Sequence, residues 1–201
     1  MRPRFLYDEK VLTERFGEAL AFANRVHRGQ LRKGTKVPYM AHLMGVASIA
    51  LNFGADEDEA IGALLHDAVE DQGGLPMLEE IRRRFGSRVA EIVDGCTDSW
   101  TTPKPPWLER KKAYLEHARN ASASVRLVSA SDKLYNMRAI VSDYRRVGEA
   151  VWARFSAPPA DVLWYYQSLA DVFRREADGG VADELARAVD ELRGIVEGIR
   201  P

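Results

Sequence analysis

Apolar residues recur every three or four positions along nearly the whole chain, and no stretch alternates apolar and polar residues long enough to make a convincing strand. Phe16, Leu20, Ala23 and Val26 form one stripe; Val46, Ile49, Ala50 and Phe53 form another; Leu185, Val189, Leu192, Val196 and Ile199 form a third. A period near 3.6 without a competing period of two points to one fold class, all-α. The punctuation agrees. Asp56 ahead of Glu57-Asp58-Glu59 reads as an N-cap with Glu59 at the third helical position, and Pro76 suits a helix start. Gly29, Gly54, Gly86 and Gly179-Gly180 fall where helices stop, while Thr101 to Pro106 and Phe155 to Pro159 read as loops. These signals predict about nine or ten helices in one domain spanning residues 1–201, with 146–201 packing on the same core as the rest.

Composition narrows the function classes. At 201 residues and 46% hydrophobic, the chain can bury a substantial core. Its net charge of -1, from 29 basic and 30 acidic residues, gives no global reason to bind a nucleic-acid polymer or an anionic membrane surface. A small charged ligand stays open, as does a homo-oligomer. The single Cys96 excludes an internal disulfide framework, and no apolar stretch approaches the ~18 residues of a membrane span. Met1-Arg2-Pro3-Arg4-Phe5 lacks a signal-peptide core, so the expected compartment is the cytoplasm.

The chemistry begins at Leu64-Leu65-His66-Asp67-Ala68-Val69-Glu70-Asp71, an apolar run that suddenly presents an imidazole and three carboxylates. Read as one helix, the run puts all four side chains along one edge, since they stand three or four positions apart. Two like charges about 4 Å apart repel by roughly 4 kcal/mol at an effective dielectric near 20, so that edge calls for a cation. A borderline divalent ion accepts imidazole nitrogen and carboxylate oxygen together. His42 shares a helical stripe with Val46, Ile49 and Phe53 and should point inward, and Asp132 follows the apolar stretch Val125 to Ala130. Other striking residues have plainer readings. The aromatics Trp152, Phe155, Trp164, Tyr165, Tyr166 and Phe173 read as helix packing, His27 as a helix-end cap, His117 as exposed, Arg82-Arg83-Arg84 as a solvated face and Cys96 as core.

The ordered set His42, His66-Asp67 and Asp132 resembles the H…HD…D signature of the HD superfamily of metal-dependent phosphohydrolases. The words around it, His27-Arg28-Gly29-Gln30, Arg32-Lys33, Pro38-Tyr39-Met40-Ala41-His42, Phe85-Gly86 and Ala130-Ser131-Asp132-Lys133-Leu134-Tyr135-Asn136, are similar to the hydrolase domain of RelA/SpoT-type alarmone enzymes over roughly residues 12 to 145. The resemblance implies a stand-alone, all-helical HD domain that hydrolyses the 3′-pyrophosphate of guanosine tetra- or pentaphosphate. It implies one divalent ion, manganese, on His42, His66, Asp67 and Asp132, with Glu70 and Asp71 as the acids that handle the attacking water. It further implies nucleotide contacts from Arg32, Lys33, Lys104, Asn136 and an aromatic at Tyr165 or Tyr166. Two other readings share these residues: an HD phosphohydrolase or phosphatase for a deoxynucleotide or nicotinamide dinucleotide phosphate, and a nucleotide sensor without turnover.

Overall fold

The computed structural model describes residues 12–98, 105–176 and 180–198. Among these the chain forms ten α-helices: α1 (Glu14–Val26), α2 (Met40–Asn52), α3 (Glu57–Leu65), α4 (Ala68–Gln72), α5 (Gly74–Phe85), α6 (Ser87–Cys96), α7 (Trp107–Asn120), α8 (Ala123–Val147), α9 (Pro159–Glu176) and α10 (Val181–Val196). A 3₁₀ turn, Gly148–Arg154, follows α8. No strand occurs among the described residues, and no helix there is long and apolar enough to cross a membrane. Trp100 and the first part of the loop predicted from Thr101 lie outside the described residues, as does Gly179.

The helix signals act where they stand. The Asp56 side chain accepts from the Glu59 backbone N–H while the Glu59 carboxylate accepts from the Asp56 N–H, a complete capping box at the start of α3. From Ala60 to Leu65 every residue of α3 is buried, so this short helix is enclosed on all sides. Gly86, at φ 93, ends α5 and opens α6 in a conformation that a side chain would strain. An isolated antiparallel bridge joins Leu31 to Pro38, with Arg32 N–H donating to Val37 O (2.9 Å) and Tyr39 N–H to Gln30 O (2.9 Å). That bridge ties down the loop between α1 and α2, which carries Arg32 and Lys33.

Buried apolar side chains gather in two clusters that meet at α8. One joins α1 to α6, with Phe22, Leu43, Ile61, Leu65, Ile81 and Val93, and takes Val128 from α8. The carboxy-terminal helices, read from the sequence as sharing one core with the rest, pack with α7 and α8 around the other, where Leu134 and Met137 meet Tyr166, Leu169, Phe173 and Leu185. Four of the six aromatics named above, Trp152, Tyr165, Tyr166 and Phe173, are buried in this cluster; Trp164 is exposed. A helix wedged between two clusters is apolar on opposite faces, which is why α8 lacks a single stripe.

α2 crosses α8 at Gly45. A Cβ built on Gly45 would stand 2.1 Å from Tyr135 Cε2, so only a residue without a side chain lets these helices approach this closely. Gly45→Ala is therefore expected to overpack the crossing by about 1–3 kcal/mol, lowering Tm by roughly 5 °C in thermal unfolding.

Candidate metal centre and adjoining cleft

Four side chains from three places in the chain converge beside that crossing. His42 lies on the first turn of α2, Asp132 in the middle of α8, and His66 and Asp67 between α3 and α4. The single helix edge expected from Leu64 to Asp71 is not what forms: α3 ends at Leu65, and His66 and Asp67 occupy a turn before α4 begins at Ala68. Both residues keep αR backbone angles, and their side chains aim at one point: His66 Nε2 is 2.9 Å from Asp67 Oδ2.

The remaining distances close the group. His42 Nε2 stands 3.3 Å from Asp67 Oδ2 and 3.4 Å from Asp132 Oδ1, and His66 Nε2 is 3.6 Å from Asp132 Oδ1. Donor atoms of His42, His66 and Asp67 all lie within 4.8 Å of one another, so these three could hold a metal ion, with Asp132 at its flank. The donor set suits a borderline divalent ion. His66 Nδ1 donates to Ala63 O at 2.8 Å, which leaves the lone pair on Nε2; that nitrogen is buried, without a hydrogen-bond partner, and faces two carboxylates. A lone pair held against anions is tolerated only with a positive charge between them.

The electrostatics carry the same message. Burial alone would keep His66 neutral, yet Asp67 and Asp132 outweigh it and raise its pKa well above the ordinary histidine value. At His42 burial prevails over the same carboxylates and the pKa falls. Burial also opposes charge on Asp67, but His66 and His42 hold its carboxyl well below the usual range. For Asp132 burial is outweighed first by Lys133, which bonds its Oδ2, then by His66. Tyr39 O–H donates to Asp67 Oδ2 at 2.6 Å and Asn136 Nδ2 donates to Asp132 Oδ1 at 2.6 Å, orienting both acids from outside.

A cavity of about 210 Å³ contains this group, and Glu70 and Asp71 line it too. Glu70 Oε2 accepts the Asp98 backbone N–H at 3.2 Å, and Asp71 Oδ2 accepts from Gln30 Nε2 at 2.8 Å. A larger cleft of about 810 Å³ adjoins it, sharing Tyr39, Asp71 and Asn136, and is lined by Arg32 and Lys33. Arg32 donates to Asn136 Oδ1 at 2.6 Å and lies over the Tyr39 ring; Lys33 is exposed. Tyr166 lines the cleft, whereas Tyr165 lines neither cavity: it is 4% exposed, edge-on to Trp107. Lys104 lies outside the described residues. His27 caps α1 through its backbone, but its imidazole bonds the Gln30 side chain and stacks on Tyr39.

Sequence reasoning overlooked three contributors. Tyr39 was visible three residues before His42, but only the fold aims its hydroxyl at Asp67. Lys111 and Asp98 stand in polar surroundings in the sequence, and nothing there marks them as buried partners.

An all-helical frame around a His/His/Asp group with both histidines buried is the architecture of the HD domain, and the chain belongs to that family, which matches residues 19–162. It is similar to a protein named guanosine-3′,5′-bis(diphosphate) 3′-pyrophosphohydrolase MESH1 from Xenopus tropicalis, 42% identical over 139 residues, 68% of this chain and 73% of that one. Its Mus musculus counterpart is 41% identical over 182 residues, 89% of this chain and 94% of that one. A solved structure described as a metazoan ortholog of SpoT that hydrolyzes ppGpp superposes with TM-score 0.72 at 26% identity, covering 94% of this chain and 99% of that one.

Tyr39→Phe removes the outer hydrogen bond that orients Asp67 without changing a ligand atom. Loss of such a partner costs about 10–100-fold in metal affinity, and that fall is expected when divalent ions are titrated into the variant.

Proposed function

We propose that this chain hydrolyses the 3′-pyrophosphate of guanosine tetra- and pentaphosphate, giving GDP or GTP and pyrophosphate. One divalent ion, manganese, serves the reaction on His42, His66, Asp67 and Asp132. The observation that carries the reading is the pairing of a small polar cavity around the His/His/Asp group with a larger, partly apolar cleft that begins at Arg32 and Asn136. A phosphorylated nucleoside has those two parts. The relatives named for this reaction support the same substrate class.

The roles follow from position. When bound, a divalent ion lowers the pKa of water from about 15.7 towards ~7 and offsets charge on phosphoryl oxygens. Glu70, at the cavity wall, takes the proton of the attacking water, and Asp71, beside Gln30 at the junction with the cleft, orients water or the leaving oxygen. Arg32 and Lys33 bind phosphate oxygens of the nucleotide, with Arg32 already oriented by Asn136. Tyr166 offers its ring to the cleft; Tyr165 backs the wall from behind. Lys104 is a further phosphate contact by resemblance alone.

Purified protein supplied with manganese should release pyrophosphate from guanosine tetraphosphate, and His66→Ala or Asp67→Ala should abolish release. Orthophosphate as the sole product would overturn the reading. Arg32→Ala should raise KM about 10–100-fold, the worth of a charge-assisted hydrogen bond of roughly 1.5–3 kcal/mol, with a smaller change in kcat.

A further inference from the structure

Besides the metal-centre residues and the acids, two lysines stand in the wall of the small cavity. Lys111 on α7 and Lys133 on α8 both line it, each with a side chain only 16% exposed. Lys111 Nζ donates to Asp98 Oδ2 at 2.8 Å and lies 4.8 Å over the Tyr165 ring; Lys133 bonds Asp132 and lies 5.3 Å over the Tyr114 ring. Holding two ammonium groups this far from water carries a desolvation cost that a surface lysine avoids. Each ammonium is matched by a carboxylate, Lys133 by Asp132 and Lys111 by Asp98, which Arg110 also meets, so both cations are held in place at the cavity wall. Burial lowers the Lys111 pKa against the pull of Asp98, and the charge on Lys133 adds to the lowering.

Size limits what such a wall can meet. The cavity is polar and, at about 210 Å³, roughly a quarter the size of the adjoining cleft, which suits a compact anion such as a diphosphate better than a nucleoside. The nucleoside belongs in the 810 Å³ cleft. We infer that Lys111 and Lys133 form a diphosphate subsite, which grips the pyrophosphoryl group of the substrate and retains it as inorganic pyrophosphate after cleavage. The inference rests on the hydrolase reading above.

In the reaction, water oxygen bonds to the phosphorus attached to the ribose 3′ oxygen and the bond from that phosphorus to the ribose oxygen breaks. The proton given up by water to a carboxylate returns to the ribose oxygen. No other reactant is needed. The electron pair of the breaking bond leaves with the ribose oxygen, which the returning proton neutralises, while ammonium donors on the wall offset the charge already spread over the diphosphate oxygens. Asp98 ties the wall to the water-handling side, since it accepts from Lys111 through its side chain and donates its backbone N–H to Glu70.

The test compares inhibition of the manganese-loaded enzyme by inorganic pyrophosphate and by GDP, in the wild type, Lys111→Met and Lys133→Arg. Lys111→Met leaves Asp98 paired with Arg110, and Lys133→Arg keeps a cation on Asp132, so both should fold. Direct calorimetric binding of pyrophosphate, and manganese retention, are measured on the same proteins. Lys111→Met should weaken pyrophosphate binding and inhibition about 10–100-fold, with GDP inhibition changed less than about twofold and manganese retained. Unchanged pyrophosphate binding in both variants overturns the subsite, and so does equal weakening towards GDP. Pyrophosphate binding that falls in Lys111→Met, in a wild-type protein that releases no pyrophosphate from the tetraphosphate, overturns the hydrolase reading and supports the subsite.

Discussion

Carboxylates and imidazoles packed within about 3 to 4 Å of one another, shielded from water, persist only around positive charge, and the site depends on that constraint. His66 shows it most directly. Its proton-bearing nitrogen is committed to Ala63 O, so the nitrogen facing Asp67 and Asp132 has only a lone pair to offer. Either a second proton or a metal ion must sit there. The interrupted helix at His66-Asp67 and the bare backbone at Gly45 serve the same convergence. One turns two adjacent side chains to a common point, and the other lets α2 approach α8 until His42 faces Asp132.

The fold was legible because helices advertise themselves locally. Periodic apolar residues, the Asp56/Glu59 capping box and glycines at positive φ act within a few residues, and each appears where the sequence puts it. The candidate ligands could be proposed from charge crowding at His66-Asp67 and from the ordered motifs with His42 and Asp132. What escaped depends on tertiary approach. A regular helix through Leu64 to Asp71 satisfies every local rule, yet α3 ends at Leu65 and α4 begins only at Ala68, with His66 and Asp67 in the turn between them. The choice between Tyr165 and Tyr166 is similar. Adjacent aromatics have the same propensities, and the packing of α9 on α7 and α8 turns Tyr166 to the cleft and Tyr165 against Trp107.

The half-buried lysines escaped for another reason. Arg110-Lys111-Lys112 reads as a solvated stretch, since charged residues are rarely buried unless paired. Lys112 is exposed as that rule expects, while Lys111 turns inward to Asp98 and the Tyr165 ring. The partner that makes this burial tolerable lies 13 residues earlier, beyond the reach of any helical spacing.

Position 136 joins the two cavities through one side chain. Its amide oxygen accepts from Arg32, at the mouth of the cleft, while its amide nitrogen donates to Asp132 at the metal centre, each at 2.6 Å. Among side chains of this size only an amide does both. A carboxylate would accept from Arg32 but set a second negative charge against Asp132, and an apolar residue would leave the buried Asp132 oxygen and the guanidinium without their shared partner. Asn136 stands one helical turn beyond Asp132 on α8, so the side chain that orients Arg32 and the carboxylate beside the His/His/Asp group are fixed by the same rigid segment. A shift of that turn would move both together, which keeps Arg32 at the mouth of the cleft in register with the His/His/Asp group.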